Sequence, residues 1–283
     1  MFSYIKGLLI YRGARYYLRA IKERLRTFFW NSKTFAFLYP DKEKLDKLKN
    51  KHKDQPCVLI GGGPSINKMD FSKFKNMVTI GCNSFYLKHE EIGYEPTYYT
   101  VEDPLPAKDN SIEIMSLKDT IKIIPYDLKG VIKPDENTIY VNFLRSYMRP
   151  SNKKFPLFSN DFENRSYWGG TVMYMNIQLA HYLGCNPIYL IGVDLSYKIP
   201  ESIKRNGAVF TSTEDDENHF DPRYFGKGKK WGDPVPDRMQ KSFSKASDIL
   251  HANQVKLINA GLGGNLKNIS RSDFFISRRI GDR

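Results

Sequence analysis

The stretch CVLIGGGPSINKMD, Cys57 to Asp70, constrains this chain more than any other. Val58, Leu59 and Ile60 form an apolar run too short for a helix, broken at once by Gly61, Gly62 and Gly63. That pattern predicts a buried strand running into a turn. Without Cβ atoms the three glycines let backbone N–H groups approach a ligand, and Pro64 and Ser65 suit the first positions of a helix whose N-terminus favours an anion. A phosphate is the expected occupant, with a plain structural turn as the alternative. The glycine spacing matches neither the GxGxxG fingerprint nor the GxxxxGK[ST] loop, so neither standard mechanism applies.

Further strands are expected at Val78 to Cys82, Pro96 to Val101, Ile121 to Ile124, Thr138 to Phe143, Pro187 to Val193 and Val255 to Asn259. Helices are expected at Thr171 to Leu183, closed by Gly184, and at Asp237 to Ala252. Pro104 to Lys118 and Arg149 to Arg165 read as loop-rich insertions. The long polar and aromatic stretch from about 196 to 236 reads as a lid. The alternation predicts an α/β, Rossmann-like, mostly parallel sheet with helices on both faces. The polar residues then gather past the C-terminal ends of the strands, where open sheets bind ligands: Asn83, Glu102, Asp103 and Asp194.

The net charge of +13 is concentrated at one end, because residues 1–54 hold 14 Lys and Arg against 5 Asp and Glu. This argues against a nucleic-acid groove across the fold, and no specific nucleic-acid partner is expected. Residues 1–54 read as a basic amphipathic helical leader and a lysine-rich linker, and 55–283 as the catalytic domain. The leader mixes Leu8, Leu9, Ile21, Leu25 and Phe28 with Arg19, Lys22, Arg24 and Arg26 at helical spacing, which suits an anionic membrane surface. Packing on the domain or on a second subunit is the alternative, and a homo-oligomer is allowed. Cys57, Cys82 and Cys185 form no CxxC pair, so reduced thiols and no zinc site are expected. With no apolar run of membrane-spanning length and no signal core, the expected location is cytoplasmic, peripheral on the inner face of the cell membrane.

Several separated blocks resemble one known pattern in the same order. GGGPSINKMDFSKF followed by CNSFY resembles the start of the bacterial sialyltransferases that use CMP-activated sugars. WGGTVMYMNIQLAHYLGCNPIYLIGVDLSY resembles their TSG-type helix and following strand, and ENHF the segment carrying their catalytic histidine. The resemblance covers about residues 57 to 260, and the blocks also resemble the wider group of Maf-type flagellin glycosyltransferases and pterin diphosphokinase-like proteins. NHFDPRYFGKGKKW and DRMQKSFSKA look closer to that wider group.

The resemblance implies an inverting transfer of a sialic-acid-like sugar from a CMP-sugar donor to a cell-surface glycan or glycolipid acceptor, with no cofactor required. It implies His219 as general base, and Tyr197, with Tyr224 second, as hydroxyls toward the leaving phosphate. Gly61, Gly62, Gly63, Pro64, Ser65, Asn83, Gly169, Gly170 and Thr171 would hold the donor. Asp194 would bind ribose or base, or serve as a structural turn carboxylate. Two departures stand out: Gly62 where the sialyltransferases often carry asparagine, and Glu102-Asp103 where they carry asparagine and proline. Glu102 and Asp103 would repel a donor phosphate unless they bind hydroxyls, meet Lys or Arg, or hold Mg²⁺, and the last of these points to a metal-dependent diphosphokinase as the alternative. A non-catalytic nucleotide-binding protein of an envelope assembly is the third reading.

Overall fold

The computed structural model describes residues 17–145 and 154–272. The first 16 residues, part of the expected leader, and residues 149–153 of the expected insertion at 149–165 lie outside the described residues. The described chain opens with a helix, α1, over 17–30, followed by α2 (Asp41–Asp46).

Eight parallel strands form the central sheet: β1 (Cys57–Ile60), β2 (Val78–Cys82), β3 (Tyr98–Thr100), β4 (Ile121–Pro125), β5 (Thr138–Val141), β8 (Ile188–Ile191), β12 (Leu257–Asn259) and β13 (Ser270–Arg271). Their spatial order is β13-β12-β8-β1-β2-β3-β4-β5. Two short strands, β6 (Phe143–Leu144) and β7 (Ser166–Tyr167), pair apart from this sheet. The period of two along each strand sends alternate residues to opposite layers. Cys57 and Leu59 of β1 enter the large core with Tyr98 and Ile123, whereas Val58 and Ile60 pack on the other face with Ile66, Phe74 and Phe85. Farther along that second face, Tyr99, Ile124 and Tyr140 meet Ala107, Ile114 and Leu128.

The large core is covered by α6 (Val172–Tyr182) and α7 (Pro236–Ala252). Ten of the eleven residues of α6 are buried, which accounts for a helix apolar nearly all round. Gly184 follows it at φ 81, the left-handed position expected of a helix stop.

Two expectations fail. The segment from Pro104 to Lys118 is not loop-rich but carries α4 (Pro104–Asp109) and α5 (Ser111–Ser116); Asp103 accepts the Leu105 N–H as N-cap, and Pro104 sits where no intrahelical donor is needed. The lysine-rich segment 41–54 is not a free linker. Leu45 and Leu48 are in the core, and the N–H groups of Asn50, His52 and Asp54 bond to the carbonyls of Tyr182, Leu183 and Gly184.

Candidate functional site

β1 lies between β2 and β8, so the chain leaves β1 toward one edge of the sheet and β8 toward the other. An open parallel sheet has its crevice at such a switch point. Here a cavity of about 210 Å³ lies between the turn after β1, the loop after β8, the N-terminus of α6 and the lid.

The glycine turn is built differently from a phosphate loop. The Gly61 N–H donates to the Ile191 carbonyl and the Gly63 N–H to the Gly192 carbonyl, each at 2.8 Å. Two of the three amides expected to cradle an anion therefore continue the pairing of β1 with β8. A Cβ at Gly61 would lie 2.4 Å from the Gly192 oxygen, and one at Gly63 2.5 Å from the Asp194 carboxylate. The expected helix after the turn is only a five-residue 3-10 turn, Pro64–Lys68. Neither Pro64 nor Ser65 lines the cavity, and Ser65 donates its N–H to Asp194 Oδ2 at 3.0 Å and its hydroxyl to Oδ1 at 2.6 Å. Of the two roles expected for Asp194, bracing the turn is the one these bonds carry. Its own carbonyl accepts the Asn265 N–H at 2.7 Å, so the GLGGNL turn holds the same loop from behind. The next residue, Leu195, is left at φ 50, a conformation costly for a side chain of its shape.

The lid carries a three-stranded antiparallel sheet of β9 (Lys204–Asn206), β10 (Val209–Thr211) and β11 (Lys230–Gly232). It is seated on the domain: the Phe220 N–H donates to the Gly62 carbonyl at 2.9 Å, and Phe220 and Tyr224 join the core layer under β1.

That seating brings His219 to the glycine turn. A Cβ at Gly62 would lie 2.8 Å from both His219 Cδ2 and the Tyr224 hydroxyl, so the glycine leaves room for the lid rather than for a donor-holding asparagine. His219 Nδ1 is 2.7 Å from Asp216 Oδ2. Asp216 also accepts the N–H groups of Asn218 at 2.8 Å and Phe225 at 2.9 Å. Burial raises its pKa, but the bonds from His219 and the two amides outweigh burial and hold the carboxyl below the usual carboxylate range. An ionised acceptor at Nδ1 puts the imidazole proton there and leaves Nε2 with its lone pair. Tyr224 stacks on the ring at 4.0 Å with 8° between planes, and Phe225 meets it edge-on at 5.0 Å. Tyr224 is thus a face of the histidine's cradle, and burial drives its hydroxyl pKa well up.

On the α6 side, Gly170, Thr171, Val172 and Met173 line the cavity. Thr171 is the extended N-cap of α6, its hydroxyl accepting the Met173 N–H at 3.3 Å. Gly169 is not part of the lining; it packs beneath Tyr174, whose ring a Cβ there would strike at 2.2 Å. Tyr197 does line it, its hydroxyl 3.8 Å from Met239 Sδ and pushed by burial up to about 12. Arg238, from the first turn of α7, reaches the lining with its guanidinium 5.3 Å from the centre of the Trp168 ring and has no ion-pair partner among the described residues.

The floor carries Asn83, Glu102 and Asp103. Asn83 sits at φ 52, and its Oδ1 is buried without a hydrogen-bond partner. Glu102 is not a free ligand, because its Oε2 lies 2.7 Å from Arg145 Nη1, and Arg145 also holds Asp127 at 2.8 Å through Nε. Burial nonetheless lifts the Glu102 pKa to about 7 against the opposing pull of Arg145. Asp103 spends Oδ1 on capping α4, at 2.8 Å from the Leu105 nitrogen. The pair therefore does not fit the two-carboxylate metal site expected of it, and the described residues hold no cluster of three or more His, Cys, Asp or Glu that could take a metal.

Asp216, Arg238, Trp168 and Arg145 were not singled out in the sequence. Asp216 had a signal, a carboxylate three residues before a histidine in one loop. The other three reach the site only through tertiary packing.

The family model described as "MptE-like: 6-hydroxymethylpterin diphosphokinase MptE-like" matches residues 31–200. The chain belongs to this family. Among solved structures, this MptE-like chain is similar to the Maf glycosyltransferase from Magnetospirillum magneticum AMB-1, with a TM-score of 0.49, 18% identity, and coverage of 79% of this chain and 34% of that one. It thus spans about a third of that protein's length. It is also similar to the sialyltransferase CstII from Campylobacter jejuni, solved in complex with a substrate analogue, cytidine-5'-monophosphate, with a TM-score of 0.38, 15% identity, and coverage of 81% of this chain and 89% of that one. No curated protein matches the sequence. The family match ends at residue 200, so Asp216, His219, Tyr224 and Arg238 lie beyond it.

Proposed function

We propose that this protein is a glycosyltransferase that moves a sugar from a CMP-activated donor to the hydroxyl of a glycan or glycolipid acceptor. The observation that carries this reading is the Asp216–His219 dyad pressed against Gly62 at the mouth of the switch-point cavity. An acceptor hydroxyl must lose its proton as its oxygen attacks the anomeric carbon. His219 Nε2 takes that proton while the bond from the anomeric carbon to the phosphate oxygen breaks and CMP departs with the electron pair. The growing charge on the leaving phosphate faces the N-terminal end of α6, an eleven-residue helix, and the Arg238 guanidinium. The unpaired Asn83 Oδ1 offers an acceptor to a ribose hydroxyl or to the cytosine amine. No metal enters this step.

The family description favours a second reading, transfer of diphosphate to a hydroxymethylpterin. It gives no role to a dyad outside the matched residues, and it wants carboxylates for a phosphate-bound metal where Glu102 is held by Arg145. A thermal-shift screen of CMP, UDP, GDP and ATP, each with and without Mg²⁺, separates the two. The glycosyltransferase reading expects stabilisation by CMP without metal, and CMP release from a CMP-sugar that persists in EDTA. Stabilisation by ATP only with Mg²⁺, and AMP release on adding hydroxymethylpterin, would establish the second reading.

A further inference from the structure

Helix α1 is mounted with its polar side inward. Glu23 is 5% exposed, and its carboxylate accepts the Arg145 N–H at 3.1 and 3.2 Å. Arg26 donates from Nε to Asn142 Oδ1 at 2.8 Å and from Nη2 to the Phe143 carbonyl at 2.6 Å. At the end of the helix Trp30, 1% exposed, donates its indole N–H to the Glu163 carbonyl at 2.8 Å. The opposite side presents Leu18, Ile21, Leu25 and Phe28, which are 58%, 51%, 53% and 66% exposed. The spacing i, i+3, i+7, i+10 places these four on one stripe. Phe37, 74% exposed, follows in the next turn of chain.

An amphipathic helix packed on its own domain would do the reverse. The sequence allowed packing on the domain, and the structure seats the helix there through Glu23, Arg26 and Trp30 with its apolar stripe turned outward.

We propose that α1 lies flat on an anionic lipid bilayer, with Leu18, Ile21, Leu25 and Phe28 in the interface. The charges beside the stripe select this occupant. Lys22 and Arg24 flank it on either side, Arg19 and Lys33 are exposed as well, and none of the four has an ion-pair partner among the described residues. The only acid of the helix, Glu23, is turned inward. A surface of apolar side chains rimmed by cations alone matches the apolar interior and anionic headgroups of a bilayer. It does not match itself, since a two-fold interface would set Lys22 and Arg24 of one copy against the same cations of the other. No helix among the described residues is long and apolar enough to cross a membrane, so the attachment is to the surface.

The test is flotation of the full chain with vesicles of phosphatidylcholine alone or mixed with phosphatidylglycerol, with light scattering to follow oligomeric state. Wild type is expected to float with the mixed vesicles at low salt, and less at high salt. Leu25→Ser with Phe28→Ser should weaken binding roughly ten-fold or more, and Lys22→Ala with Arg24→Ala about thirty-fold. The melting temperature should not change, because all four side chains are exposed. Undiminished flotation of either double variant would overturn the proposal. So would a wild-type dimer that does not bind vesicles and becomes monomeric with Leu25→Ser and Phe28→Ser, which would make the face a contact between two copies. Nucleotide binding is expected to persist in both variants, which keeps this test separate from that of the reaction.

Discussion

Replacing Glu102 by glutamine should stabilise the protein, and only above about pH 4.5. The carboxylate is 5% exposed and 2.7 Å from the Arg145 guanidinium. The two partners point opposite ways, because Arg145 is held more firmly charged while Glu102 resists ionising, its pKa raised from 4.5 to about 7. Burial decides the sign for Glu102, since Arg145 also neutralises Asp127 and the nearby Asp103 and Asp127 charges add repulsion. A carboxyl whose pKa is higher in the folded state costs nothing below about pH 4.5. As pH rises through the window to about 7, the unfolded chain releases the proton first, and stability falls until the folded carboxyl ionises too. The full rise corresponds to roughly 3 kcal/mol. Glutamine keeps the shape and still accepts from Arg145, but cannot ionise. E102Q should therefore match wild type at pH 4 and exceed it by about 2–3 kcal/mol at pH 8, measured from urea unfolding at both pH values. If E102Q is instead the less stable protein at pH 8, the ion pair outweighs the burial of its charge and the reasoning fails.

Arg145→Met should be strongly destabilising, by about 3–5 kcal/mol at pH 8, because it strips the partner from buried Glu102 and from Asp127; the same urea series reads it. His219→Ala should lower the chemical step by about two to four orders of magnitude with nucleotide binding intact. Asp216→Asn should lower it less and change its pH profile, since the imidazole loses the ionised acceptor at Nδ1; steady-state rates against pH test both. Gly62→Ala should cost activity without removing any reacting group, because its methyl needs the space of His219 Cδ2 and the Tyr224 hydroxyl; normal kcat in this variant would detach the turn from the dyad. Burial lowers the His89 pKa to about 4, so stability should fall as pH drops from about 6.5 toward 4, and His89→Gln should flatten that limb of an acid denaturation curve.

What the sequence made legible follows from which forces are local. β1 and β8 were readable because a strand buried on both faces reads as a near-continuous apolar run. α6 was readable from Thr171 at its start and Gly184 past its end. The two helices after Asp103 were hidden by Pro104 and Pro106, residues that break a helix interior but fit its first turn. Likewise the lysines of segment 41–54 disguised Leu45 and Leu48, an apolar pair at i, i+3 that seats α2 on the core.

The site divides along the same line. Asn83, Glu102, Asp103 and Asp194 were found because a parallel sheet gathers whatever follows its strands, and the order of strands then sets which ends share a crevice. What the glycine turn and Asp194 do there depends on partners more than a hundred positions away. The Gly61 and Gly63 amides are spent on the carbonyls of Ile191 and Gly192 at the end of β8, and Ser65 is spent on Asp194. Three glycines in a row therefore mark close approach, of β8 behind the turn and of the lid in front, rather than three amides offered to an anion. The room left at Gly62 is taken by His219 and Tyr224. A side chain at that position and a seated imidazole are thus alternatives, and this chain holds the imidazole.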